Sequence, residues 1–261
     1  MLIDSHCHLD APEFAADRLA VVQRALAAGV NGAIVPGWRL DQLLRIGELL
    51  TWCPAAFHLR YAAGIHPLYV QELSPAALEQ LEPMLCNAVA VGEIGLDRFG
   101  CKAQEPEHWR RQQLFFREQL AMARRAQLPV LIHVRRCYPE LIRVLQQQPL
   151  QRGGIVHAFN GSERDACALL EAGFVLGIGS LITQPSAQRL QQLLRRLPEH
   201  AWVLETDAPD MLPHSLWCQG VRRNEPAQLA VIVRAVSRCL ALSESDVQQC
   251  HTRTLGRILQ L

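Results

Sequence analysis

Short apolar runs, most of them ending in a polar residue or a glycine, punctuate the chain at Leu2 to Ser5, Gly32 to Val35, Leu59 to Ile65, Ala88 to Gly92, Pro129 to Ile132, Gly154 to Val156, Phe174 to Ile178 and Ala201 to Leu204. They do not alternate strictly between apolar and polar, and they are rich in Val, Ile, Leu and Ala. That pattern predicts strands buried on both faces of a parallel sheet. Helical stretches fill most of the intervals. Asp10-Ala11-Pro12 precedes a periodic segment ending at Gly29, Ser74-Pro75 offers an N-cap with proline at the first helical position, and Ser162 opens a segment closed by Gly173. Glu105 to Gln127 has no glycine or proline after Pro106 and is predicted helical throughout. Beyond Asp207 a proline-containing loop leads to two more helical stretches, Glu225 to Leu242 and Ser243 to Leu259, with Ser243 as the cap of the second.

Eight strands alternating with helices, undivided by any linker or repeat, predict an α/β protein with a single domain over residues 1–261. The leading architecture is a (β/α)8 barrel of the TIM type, and a doubly wound open sheet is the alternative. A length of 261 residues suits one such barrel, which commonly takes roughly 250. The hydrophobic fraction of 49%, with 16 Gly and 15 Pro, excludes collagen-like, low-complexity and disordered classes. With 26 Lys+Arg against 25 Asp+Glu the net charge is +1. No whole-molecule field therefore gathers nucleic acid, and a polyanion has to be held by a local basic rim or by metal ions. The 9 cysteines are odd in number, scattered and without a Cys-x-x-Cys pair, which argues against a disulfide framework and a zinc knuckle. A reducing compartment fits. The first residues lack the charged and apolar regions of a signal peptide, and no apolar run approaches the ~18 residues of a membrane span, so the expectation is a cytoplasmic protein with no membrane partner.

The chemistry stands at the strand ends. His6 and His8 follow the first strand, His66 the third, Glu93 the fourth, His133 the fifth, His157 the sixth and Asp207 the eighth. In a parallel barrel all those ends open on one face, where active sites are built. Taken singly, each residue has a plainer reading as a hydrogen-bonded core histidine or a helix cap, and His58, His108, His200, His214 and His251 keep it. His6-Cys7-His8 is stronger, because alternate strand residues point the same way and two imidazoles then grip one ion. Cys7, between them, points into the wall as a small core residue. Imidazole and carboxylate together suit Zn²⁺, Mn²⁺ or Ni²⁺, with Mg²⁺ also a candidate for activity. Six ligands exceed the need of one tetrahedral zinc with an open position but suit two ions sharing a carboxylate, which points to a binuclear hydrolase.

The chain also resembles the TatD family of metal-dependent hydrolases from its first residues to its last. The matching pieces are Ile3-Asp4-Ser5-His6-Cys7-His8-Leu9-Asp10, Gly64-Ile65-His66-Pro67, Gly92-Glu93-Ile94-Gly95-Leu96-Asp97, Pro129-Val130-Leu131-Ile132-His133, Val156-His157-Ala158-Phe159-Asn160-Gly161-Ser162, Glu205-Thr206-Asp207-Ala208-Pro209 and Arg223-Asn224-Glu225-Pro226. The resemblance implies a TIM-type barrel, two divalent cations and hydrolysis of DNA phosphodiesters, often as an exonuclease. It further implies that His6, His8 and Asp207 hold one metal and His133 and His157 the other, that Glu93 bridges them, and that His66 lies near the substrate phosphate. Two departures flank the site. Val134-Arg135-Arg136 stands where many members have Ser-Arg-Asp, and Arg98 stands where an aromatic is usual after Asp97. The first, with Leu96-Asp97-Arg98-Phe99-Gly100, resembles the YjjV-type branch.

Three functions compete. The first is a deoxyribonuclease in which two cations hold the scissile phosphate and acidify a water, Asp207 accepts the proton, and His66, Arg98, Arg135, Arg136 and the Gly161-Ser162 backbone grip phosphate. Glu205, two residues before Asp207, is expected lower in the barrel, where it orients a ligand. The second function keeps the metal-activated water but changes the substrate to a small amide, ester or lactone. The third is a catalytically silent scaffold, disfavoured because every ligand position holds a competent residue. Of the tryptophans, Trp217 in the loop after strand eight is a candidate for base stacking, while Trp38, Trp52, Trp109 and Trp202 are expected in the core. Arg222 and Arg223 either extend the basic rim or decorate a loop, and a monomer or small homo-oligomer is expected.

Overall fold

The computed structural model describes residues 1–99 and 105–261; Gly100 and Cys101 lie outside the described residues. Eight parallel strands pair in chain order: β1 (Leu2–Asp4), β2 (Val30–Pro36), β3 (His58–Ala63), β4 (Ala90–Asp97), β5 (Val130–Arg135), β6 (Gly154–Val156), β7 (Phe174–Ile178) and β8 (Trp202–Leu204). A strictly sequential order has no switch point, which removes the doubly wound alternative. The sheet returns on itself where Ser5 N–H donates to Leu204 O at 3.2 Å and Asp207 N–H donates to His6 O at 2.9 Å. The protein is a single (β/α)8 barrel.

Around it run α1 (Arg18–Ala27), α2 (Leu40–Trp52), α3 (Ala76–Leu81), α4 (Pro106–Ala126), α5 (Tyr138–Gln147), α6 (Glu163–Glu171), α7 (Gln188–Leu194), α8 (His214–Cys218), α9 (Leu229–Leu240) and α10 (Glu244–Leu259). Local chemistry sets their ends. Ser162 and Asp165 form a reciprocal capping box at α6, and Ser243 accepts from Asp246 N–H at α10. Two expected starts differ. Ser74 makes no side-chain cap, since α3 begins at Ala76 after Pro75 and Ala77 N–H bonds the Ser74 carbonyl instead. The segment expected to run on to Gly29 divides into a 3₁₀ turn at Pro12–Phe14 and α1, because Arg18 turns back onto the carbonyls of Leu9, Asp10 and Ala11.

Inside the barrel one residue from every strand meets in an apolar layer: Ile3, Ile34, Ala62, Ala90, Leu131, Ile155, Val175 and Val203. Leu255, Ile258 and Leu259 of α10 pack against that layer and close the barrel floor. A larger apolar shell, including Phe14, Phe115, Phe116 and Trp202, fills the space between strands and helices. Strand periodicity then places His133, His157 and Glu205 two residues beyond Leu131, Ile155 and Val203, one layer nearer the mouth. Gly177 makes room there, for a Cβ on it would come within 2.3 Å of the Glu205 carboxylate. Eight cysteines are described and all are unpaired. Among the described residues no single helix is long and apolar enough to cross a membrane.

Candidate metal centre and catalytic cleft

β4 departs most from expectation, running on to Asp97 instead of stopping at Gly92. Its pairing with β5 shifts register between Val91 and Ile94, and such an irregularity re-aims side chains. Gly95, at φ +147°, lies so close to the His133 carbonyl that no side chain fits. Glu93 thus sits within a bulged strand, 2% exposed, and reaches the barrel axis.

Its two carboxylate oxygens face different partners. Glu93 Oε2 lies 3.1 Å from His6 Nε2 and 3.7 Å from His8 Nε2. Glu93 Oε1 lies 2.9 Å from both His133 Nδ1 and His157 Nε2, and 3.4 Å from His66 Nε2. Asp207 Oδ1 completes the first group at 3.5 Å from His6 Nε2 and 3.6 Å from His8 Nε2. His6 and His157 stack at 4.0 Å, joining the two groups. The strand-end residues singled out in the sequence therefore converge, as three overlapping sets with metal-ligand spacing: His6, Glu93 and His157; His6, His8 and Asp207; His66, Glu93 and His133.

The electrostatics follow from this crowding. Burial alone raises a carboxyl, but His157, His6 and His66 and the hydrogen bond with His133 hold Glu93 well below its usual range. Burial likewise pulls His157 down, yet Glu93 and Glu205 outweigh it and hold the imidazole well above the ordinary value. For His66 burial prevails and lowers its pKa to about 4, so it is neutral near pH 7. Leu68 N–H donates to His66 Nδ1 at 3.2 Å, which leaves the proton on Nε2, facing the cleft.

A set of polar residues supports the cluster from behind, and of these only Glu205 is expected from the sequence. Asp97 Oδ2 lies 3.0 Å from His133 Nε2 and orients the ring so that Nδ1 faces Glu93 Oε1. Asp97 is itself fixed by Phe99 N–H at 2.6 Å and by Gln112, which bonds its backbone on both sides. Asp4 accepts from His6 N–H and from the backbone and hydroxyl of Thr206, pinning β1 to the segment after β8. Burial pushes its carboxyl up to about 8. Glu205 is fully buried, lies 3.7 Å from His157 Nδ1 and accepts the Ala158 N–H. Asn224 ties down the loop after Asp207 by donating to the carbonyls of Thr206, Asp210 and Met211. Asp4, Asp97, Thr206 and Asn224 stand in the short motifs quoted from the sequence, whereas Gln112, far along α4, has no such signal.

The donor set suits divalent metal. It combines neutral-capable imidazoles with carboxylates, and among the described residues both ring nitrogens of buried His6 and the Nδ1 of buried His157 make no hydrogen bond, although Glu93 Oε2 stands 3.1 Å from His6 Nε2. Buried polar atoms left so cost roughly 1–3 kcal/mol each, a cost that coordination removes. Asp207, at φ +57°, and Ala158, at φ +46°, occupy left-handed backbone directly at the site, where such strain tends to collect.

Above the cluster opens a cleft of about 950 Å³ lined by His8, His66, Trp38, Tyr69, Arg135 and Arg136, among others. Arg135 and Arg136 clasp Phe99 at 3.4 and 4.7 Å. The other expected phosphate contacts are engaged elsewhere. Arg98 pairs with Glu140 at 2.9 Å and covers Trp109, outside the cleft lining, and Ser162 N–H is taken by Asp165 in the capping box. Gly161 packs on Phe159 and is also absent from the lining. Trp38 belongs to the cleft instead of the core, since its Nε1 bonds Asp10 Oδ2 at the mouth, and Trp52 is largely exposed on α2.

Residues 3–260 match the family model described as TatD related DNase. The chain is 38% identical over 241 residues, 90% of each sequence, to the metal-dependent hydrolase YjjV of Escherichia coli (strain K12). It is 33% identical over 242 residues, again 90% of each, to the 3'-5' ssDNA/RNA exonuclease TatD of Erwinia billingiae (strain Eb661). The crystal structure of YjjV superposes with a TM-score of 0.90 at 34% identity, covering 100% of this chain and 98% of that one.

Proposed function

The chain belongs to the TatD-related DNase family of metal-dependent hydrolases, and from that premise we propose that it is a binuclear, exonuclease-type deoxyribonuclease acting on single-stranded ends. The observation that carries the reading is the Glu93 carboxylate, with one oxygen toward His6 and His8 and the other toward His133 and His157. His6, His8 and Asp207 would hold one divalent cation, His133 and His157 the other, and Glu93 both. Bound there, the pair would supply Lewis-acid charge for a phosphodiester and lower the pKa of a water.

The protein's own groups do the remaining work. Asp207, with its partly exposed carboxylate at the cleft floor, accepts the proton of the attacking water. His66 presents a neutral Nε2–H donor to a phosphate oxygen, and Arg135 and Arg136, held in place by Phe99, grip the backbone at the rim. The apolar floor keeps bulk water out from below.

The test is incubation of metal-loaded protein with end-labelled single- and double-stranded DNA, with RNA and with simple esters. Stepwise shortening of single-stranded DNA, abolished by chelator, supports the reading. Turnover of esters alone moves the protein to small-molecule hydrolysis, and turnover of RNA alone changes the nucleic acid.

A further inference from the structure

Beside the cleft lies a second groove of about 560 Å³, and Pro209, Asp210 and Met211 line both. Its far wall carries Trp217, 58% exposed, and Arg222, whose guanidinium stands 4.7 Å from the indole centroid. The two neighbouring arginines are used differently. Arg223 is locked between Asp17 and Glu225, each at 2.8 Å, and secures the loop to the start of α1. Arg222 donates Nη1 to the carbonyls of Trp217 and Val221 and has no carboxylate partner among the described residues. A cation on one face of an exposed indole, in a groove adjoining a phosphodiesterase cleft, is the combination that binds a base by stacking and its phosphate by charge.

We propose that this groove is a nucleotide subsite, in which the strand leaving the cleft stacks one base on Trp217 and places the adjoining phosphate on Arg222. The proposal rests on the nuclease reading and adds where the strand runs beyond the cleft. Asp210, at the junction, repels a phosphate, whereas Pro209, Met211 and Leu212 offer apolar surface. The junction therefore receives sugar and base, and the next phosphate falls to Arg222. A duplex keeps its bases stacked inward, so only a single strand can present a base to Trp217. Stacking uses the π-face that every base possesses, so the subsite is indifferent to sequence.

The test uses metal-loaded protein and a fluorescent, fully phosphorothioate, single-stranded decanucleotide, scanned with one abasic residue moved position by position. Trp217→Ala and Arg222→Ala are each expected to weaken binding about tenfold, and Trp217→Phe to restore most of it. In wild type one abasic position is expected to cost about as much as Trp217→Ala, and in Trp217→Ala that position costs nothing further. Hydrolysis of bis(p-nitrophenyl) phosphate is the reference, against which the loss on oligonucleotide is expected to be at least fivefold larger. Unchanged oligonucleotide binding in Trp217→Ala, or the same abasic cost in both proteins, overturns the subsite while leaving the nuclease reading intact. Wild type that turns over the small diester but binds no oligonucleotide overturns both.

Discussion

His251, on α10 at the seam between β1 and β8, and His157 at the barrel mouth are both buried, yet their surroundings drive them in opposite directions. His251 accepts from Leu204 N–H at 2.9 Å and donates to Ile3 O at 2.7 Å, with no carboxylate against it among the described residues, and burial lowers its pKa to about 4. His157 faces Glu93 and Glu205 and is held well above the ordinary value despite burial. The same strands supply both ends. A step of two positions leads from the apolar layer at Leu131 and Ile155 to the imidazoles of His133 and His157. What separates His157 from His251 is therefore the carboxylates opposite, not burial.

If the mouth does chemistry and the floor only packs, Asp207→Asn should have the largest effect. We expect kcat to fall about 10²-fold or more with little change in substrate affinity, and Glu205→Gln, measured beside it with metal content, to perturb metal binding before rate. A near-normal Asp207→Asn with a collapsed Glu205→Gln reverses the assignment. At the floor, Leu131→Ala should cost about 2–5 kcal/mol of stability in urea unfolding, with unchanged specific activity of the folded fraction. Lost activity at full stability would show that the two ends are not separable.

Acid should find the β1–β8 seam next. His251 has a folded pKa of about 4 against about 6.5 unfolded, so below pH 6.5 the unfolded chain takes up a proton that the folded chain refuses. Stability from this group is lost as pH falls from about 6.5 to 4 and then levels off, by about 3 kcal/mol in all. In metal-free protein the difference between wild type and His251→Gln isolates it, and parallel pH profiles would refute it. The smallest effect is at the rim. Arg135→Glu should weaken oligonucleotide more than a chromogenic diester, and the slope of log affinity against log salt should become shallower by about 0.7 for each single-strand phosphate that Arg135 neutralises in the wild type. An unchanged slope would remove Arg135 from the phosphate path.

The strands and the histidines and carboxylates at their ends are legible in the sequence because both follow from local pattern: doubly buried strands read as apolar runs, and the clustered side chains stand where the runs end. Glu93 is legible as a member of the cluster but not as part of β4, since Gly92 and Gly95 imitate a strand end while serving a bulge. Arg98 and Ser162 show the opposite failure. Each carries the right chemistry beside the site, but Glu140 and Asp165, distant or incidental in the sequence, engage them first. Trp38 reads as core because its contact with Asp10 joins two different strand-end loops. Glu205 is legible as a supporting group because it follows the last apolar run directly and stands two residues before Asp207. Asp4 and Asp97 are not, because support from behind a ligand has no spacing of its own.

Metal stoichiometry tests the central claim most directly. Saturated with Mn²⁺ or Zn²⁺, dialysed and assayed by elemental analysis, the wild-type chain should hold two ions and Glu93→Gln no more than one, with the variant's fold verified by circular dichroism. A wild type that saturates at one ion, or a Glu93→Gln protein that keeps two, would contradict the shared carboxylate at the centre of the cleft.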